Sequence, residues 1–132
     1  MPTRNVPVAA AGPLVADVML HAPRTVSPGT TVAEAREAFE NPRERMLLVT
    51  HEGRFVGAVA REQIEEDLDG ATTLAALLDA DAPRVSPDDA SSRALQLLEA
   101  EDTERLPVVE PDGTLVGLVC FNSRRGHFCV DG

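Results

Sequence analysis

Apolar residues fall into the same rhythm twice along the chain. At 46–60, the short apolar runs "MLLVT" and "FVGAVA" flank the polar "HEGR". At 106–120, "LPVVE" and "LVGLVC" flank "PDG" with the Pro-Asp-Gly of a tight turn. Runs this short, bounded by turn signals, read as buried strands rather than helices, so each pair predicts a hairpin. Gly53 and Gly113 supply the positive φ such turns need. Ahead of each hairpin the period changes. Thr31 offers an N-cap and Glu34, three residues on, completes a capping box. Val32, Ala35 and Phe39 then share one face of an amphipathic helix that Asn41 and Pro42 end. In the second copy, Asp88 or Asp89 is the expected cap, with Ala90, Ala94, Leu97 and Leu98 forming the apolar stripe. "TV" at 25–26, closed by Ser27 and Pro28, predicts a very short strand. "LVADVML" at 14–20, "TLAALLDA" at 73–80 and "REQIEEDL" at 61–68 each predict a short helix.

The two halves also match letter by letter. "APRTVSPGTTVAEA" at 22–35 corresponds to "APRVSPDDASSRA" at 82–94, with one residue deleted after Arg84. "ERMLLVTHEGRFVG" at 44–57 corresponds to "ERLPVVEPDGTLVG" at 104–117 without a gap. An internal duplication of this length divides the chain into a flexible N-terminal arm at 1–13 and repeats at 14–70 and 71–132. The second repeat ends in "RRGHFCVDG", where Gly126 interrupts any helix. Its last helix is therefore expected to be short or missing, with Phe128 or Val130 filling an apolar groove of this chain or of a partner.

Composition narrows the chemistry. The chain has 132 residues, no Trp and no Tyr, so its core is built from Val, Leu, Ala and a few Phe. Its 12 basic residues are all Arg, which removes lysine Schiff-base chemistry. A formal net charge of −10 repels polyanions and argues against nucleic-acid binding. No segment approaches a membrane span, and the first residues lack the apolar core of a signal peptide, so a cytoplasmic protein is expected. Cys120 and Cys129 are too few for a disulfide framework, and the His127/Cys129 pair has no second pair at metal-ligand spacing. The acidic runs "EQIEEDLD" and "EAEDTE" lack the alternation of a calcium loop. No nucleophile stands beside His21, His51 or His127, so no catalytic constellation emerges and the chain is expected not to be an enzyme.

The repeated order resembles the CBS domain, named for cystathionine beta-synthase, in the tandem form called the CBS pair or Bateman module. "VADVMLHAPRTVSPGTTVAEA" and "RLPVVEPDGTLVGLV" carry the resemblance, which spans about residues 14–125. It implies an α+β fold of two β-α-β-β-α repeats with pseudo-two-fold symmetry and a disc-like homodimer. It also implies a regulatory module whose ligands are AMP, ADP, ATP or S-adenosylmethionine, held in clefts between the repeats.

Members that bind nucleotides carry Gly, two apolar residues, Thr or Ser, two variable residues, then Asp. The Asp carboxylate accepts from the ribose hydroxyls, and the Thr or Ser hydroxyl donates to phosphate. Here Ala60 and Gln63 stand at those positions in the first repeat, and Cys120 and Ser123 in the second. Leu47 replaces the Pro that Pro107 retains, which leaves an apolar wall for a flat ring. The further candidate ligand contacts are Arg24 and Thr25 in the first repeat, with Arg84 and Val85 matching them in the second. Arg61, Asn122 and Arg124 follow the return strands, and arginine suits phosphate or carboxylate. Two functions fit: a stand-alone module sensing a small molecule, or a protein–protein interaction module with vestigial clefts and a regulated partner.

Overall fold

The computed structural model describes residues 3–131. In chain order its elements are strand β1 (Thr3–Pro7), β2 (Met19–His21), β3 (Thr25–Val26), helix α1 (Val32–Ala38), β4 (Met46–His51) and β5 (Arg54–Ala60). Helix α2 (Ser91–Ala100), β6 (Arg105–Val109), β7 (Leu115–Asn122) and β8 (His127–Asp131) complete the set. The α+β class is as expected. Contacts divide the chain into two compact units, residues 24–82 and residues 1–23 with 83–132.

The unit at 24–82 is a three-stranded sheet in the order β3-β4-β5, with β3 parallel to β4 and β4–β5 the expected hairpin. Its turn places Gly53 at φ 82°. The capping box forms as read. The Glu34 N–H donates to Thr31 Oγ1 at 3.2 Å, and the Thr31 N–H donates to Glu34 Oε1 at 3.1 Å. Ala35, Phe39, Leu47, Val49, Val59 and Leu74 form the core.

The other unit is a five-stranded sheet in which β1, β8, β7 and β2 follow one another and β6 also pairs with β7. Val15, Val18, Leu106, Val108, Val119 and Phe128 are fully buried in its core, with Ala94 and Leu98 of α2 over them.

Four expectations are corrected. Residues 14–20 and 73–80 are not helices; each makes one 3-10 turn, Val15–Asp17 and Leu74–Ala76. Their backbone is engaged elsewhere, and in matching ways. The N–H groups of Val15 and Ala16 donate to the carbonyls of Asp89 and Pro87, as those of Leu74 and Ala75 donate to Thr30 and Pro28. Each leading segment thus closes on the helix start of the other repeat, and the compact units cut across the linear 14–70 and 71–132 division. Secondly, Asp88 and Asp89 do not cap α2. Ala90 holds that position, the Ser91 N–H donates to the Pro13 carbonyl, and the Asp89 carboxylate accepts from Ser86 instead.

Thirdly, "REQIEEDL" forms only the 3-10 turn Arg61–Gln63. The Gln63 side chain holds it closed: Oε1 accepts from the Ala60 N–H at 2.8 Å and Nε2 donates to the Leu77 carbonyl at 2.9 Å. Finally, residues 3–7 of the expected loose arm are strand β1, paired antiparallel with β8 from Thr3↔Asp131 to Pro7↔His127. Phe128 and Val130 of β8 do fill an apolar groove, and it is the core of this unit. His21 of β2 ties off the end of β8. Its N–H donates to Asp131 Oδ2 at 2.7 Å and its Nδ1 lies 2.8 Å from the same oxygen. These two contacts, the backbone one first, hold the Asp131 carboxyl below the usual range.

Arg61 is the tie at the end of α1. Its guanidinium donates to the carbonyls of Phe39 at 2.7 Å, Asn41 at 2.7 Å and Glu44 at 2.6 Å, and lies 5.0 Å from the centre of the Phe39 ring. Those carbonyls close the segment between α1 and β4. Replacing Arg61 with alanine is expected to lower unfolding stability by about 1.5–3 kcal/mol, the range for hydrogen bonds to charged groups. Lysine, a point donor without the planar fork, should recover little of this. Urea denaturation of both variants checks it, and a wild-type midpoint in the lysine variant would refute the fork's role.

Candidate ligand-binding site

Where β3 and β4 meet α1, the unit at 24–82 holds a pocket of about 350 Å³ lined by Arg24, Val26, Thr30, Glu34, Glu37, Ala38, Asn41 and Leu47. Arg24 is exposed just ahead of β3, and Leu47 is buried on β4. The pocket joins an apolar wall (Val26, Ala38, Leu47) to one guanidinium and two carboxylates. The Glu34 carboxylate is already held by Thr31 through the capping box. Such a lining can stack a flat ring on its wall while polar groups bind to Arg24 or Glu37.

The candidates named from sequence divide sharply. Arg24 and Leu47 come together in this pocket. Thr25 is exposed on β3, paired with Leu48. Ala60, Arg61 and Gln63 are engaged in the turn and ties described above, so the positions expected to meet ribose and phosphate in the first repeat serve the fold. In the other unit, Val85 and Pro107 are buried. The Val85 N–H donates to the Pro107 carbonyl at 3.1 Å, and the pair extends the sheet beside β6. Arg84 is half-buried beside them. Asn122 Oδ1 accepts from the backbone N–H groups of Arg124 and Arg125, closing the turn into β8. The Ser123 N–H and hydroxyl both donate to Glu104 Oε2, at 2.9 and 3.2 Å. A carboxylate is thus bound where a ribose contact was expected. Arg124 is exposed in that turn. Burial pushes the Cys120 thiol up to about 12, against the partial pull of Arg105.

Four polar or charged lining residues were not named as ligand contacts from sequence: Thr30, Glu34, Glu37 and Asn41. Glu34, Glu37 and Asn41 stand at i, i+3 and i+7, so they share one side of the helix and its end. That spacing was visible, but Glu34 was read only for its part in the capping box.

A model of the CBS domain matches residues 15–69 and again residues 74–122. The chain belongs to the CBS domain family. Each CBS match begins in a leading segment and ends near its own return strand, so each crosses between the two compact units. Among curated relatives, the inosine-5'-monophosphate dehydrogenase of Methanocaldococcus jannaschii is 29% identical over 96 residues, covering 72% of this chain and 19% of that protein. The chain spans about a fifth of the length of the curated relatives it matches. Among solved structures, the cytosolic domain of the Mg2+ channel MgtE in complex with ATP is 25% identical, with a TM-score of 0.70, covering 82% of this chain and 46% of that one. CBSX2 in complex with AMP shares the fold at 23% identity and a TM-score of 0.72, covering 83% of this chain and 90% of that one. Among the described residues no helix is long and apolar enough to cross a membrane.

Proposed function

We propose that this CBS pair is a regulatory, non-catalytic module that senses a small molecule. The observation that carries the reading is the pocket in which Arg24 and Leu47 meet, an arginine beside an apolar wall at the position where the family walls its base. The ATP in the MgtE structure supports an adenosine-containing ligand. The lining itself selects among such ligands. Glu34 and Glu37 outnumber Arg24, so a triphosphate meets net repulsion while a cationic head group does not. S-adenosylmethionine, with its sulfonium and amino group, suits this lining better than AMP, and AMP better than ATP. The module then acts on a regulated partner or as a homodimer.

Isothermal calorimetry with the three ligands tests this. The expected order of affinity is S-adenosylmethionine, AMP, ATP. Arg24→Ala should weaken AMP binding about tenfold or more, from the ~1.5–3 kcal/mol of a hydrogen bond to a charged group. No heat from any ligand on folded protein would overturn the reading and leave the interaction module. That alternative has its own observation: Gln63 and Ser123, at the ribose positions of the two repeats, are both bonded within the fold.

A further inference from the structure

Cys120 and Cys129 lie on neighbouring antiparallel strands. The β7–β8 register pairs Asn122 with His127 and Phe121 with Phe128. Beyond the Phe121↔Phe128 pair the next residue on each strand is Cys120 and Cys129, and the two thiols lie close enough to influence each other. Directly opposed residues of an antiparallel pair lie roughly 4.5–5.5 Å apart at Cα, within the ~4.4–6.8 Å that disulfides span. Both side chains stand on the face opposite Phe121, Phe128 and Val130, so joining them leaves the apolar packing in place. Both are free thiols, Cys120 buried and Cys129 partly exposed. The two cysteines follow directly on a paired position of neighbouring strands, so neither stands isolated.

We infer that Cys120 and Cys129 form a reversible cross-strand disulfide, making the β7–β8 hairpin a redox-responsive site for low-molecular-weight disulfides. Accessibility sets the order of steps. The Cys129 thiolate attacks one sulfur of glutathione disulfide, the reagent's S–S bond breaks, and one glutathione thiolate leaves. Cys120 then gives up its proton and attacks the Cys129 sulfur of the mixed disulfide, and the second glutathione leaves. The two protein thiols lose two electrons and two protons, and glutathione disulfide is reduced to two glutathione molecules. Burial keeps Cys120 out of the first step; contact with Cys129 gives it the second, where its neighbour is already in place. The cross-link would fix β8, which carries Phe128, to β7 two residues from Asn122 and the turn that follows it.

Arg124 and Arg125 lie between the two cysteines, so trypsin separates them unless a disulfide joins the pieces. The test incubates the intact protein in glutathione buffers of rising oxidised fraction, quenches with acid, and reads intact mass and non-reducing tryptic peptides. The expected result is a monomer lighter by two hydrogen atoms, a linked Cys120–Cys129 peptide, and full reversal by dithiothreitol. Cys120→Ser should stop at a glutathione adduct on Cys129, and Cys129→Ser should stay unmodified. A wild-type protein that stops at the adduct, forms disulfide-linked dimers, or keeps its mass in the most oxidising buffer would overturn the inference. The wild-type peptide map decides the matter even if a serine variant folds poorly.

Discussion

Phe128→Ala is expected to cost about 3–5 kcal/mol of unfolding free energy, the range for emptying a buried phenylalanine site. The side chain is 0% exposed and is the largest fully buried one among the described residues. It packs edge-on against Phe121, with ring centres 5.1 Å apart, and against the core of its unit. It stands on a strand hydrogen-bonded on one side to β1 and on the other to β7. Truncation would leave a cavity bounded by two strands that cannot collapse into it. Because small proteins hold only about 5–15 kcal/mol in all, the loss is a large share of stability. Urea melts of wild type, Phe128→Ala and Phe128→Leu provide the measurement. The leucine variant should lose less than half as much, since it refills most of the volume. A loss below about 1 kcal/mol in the alanine variant would mean that β8 contributes little to the core, against the burial described.

The second large effect belongs to a pair of glycines. Gly57 and Gly117 occupy the same place in the two repeats, in "FVG" and "LVG". In each, a leading segment from the other repeat runs against the backbone. A Cβ on Gly117 would lie 2.8 Å from the Leu20 carbonyl oxygen and 2.5 Å from Met19 Sδ. A Cβ on Gly57 would lie 3.0 Å from the Asp79 carbonyl oxygen, and its φ of 156° is a conformation side chains avoid. Met19 can swing away, but the carbonyls belong to segments hydrogen-bonded in place: β2 pairs with β7, and Ala58 bonds with Asp79 in both directions. Gly57→Ala and Gly117→Ala should each therefore destabilise by about 1–3 kcal/mol, as overpacking does. Gly29 is the control. A Cβ there meets only Ser27 Oγ at 3.9 Å, so Gly29→Ala should stay within about 0.5 kcal/mol of wild type. Equal midpoints for all three variants would show that the leading segments do not press on the return strands.

The sequence made the hairpins, α1 and its capping box legible because each is decided locally. A run of apolar residues between turn formers, or a Thr three residues before a Glu, needs no distant partner. The leading segments were misread because their backbone bonds go to residues about 45 or 75 positions away, as in Leu74 to Thr30 and Val15 to Asp89. Apolar spacing alone could not distinguish a short helix from a turn docked there. The same holds for β1, whose partner β8 lies at the far end of the chain. At the candidate site, Arg24 and Leu47 were readable from the repeat. Gln63 was not, because a glutamine gives no sign of whether its amide faces a ligand or the Ala60 N–H and Leu77 carbonyl. Arg61 posed the same problem: the charge suggested an anion, and the structure supplied carbonyls.

The exchange of leading segments also orders events in time. Residues 24–82 form one uninterrupted stretch, so a ribosome that has released Ala82 has released everything that unit requires. The other unit has its first residues synthesised early, yet it cannot close until β8 follows more than a hundred residues later. Until then β1 lacks its strand partner and Val15 and Val18 lack much of their cover, which are exposures of the kind chaperones recognise. The second unit to finish is thus the one whose two fragments flank the other in the chain.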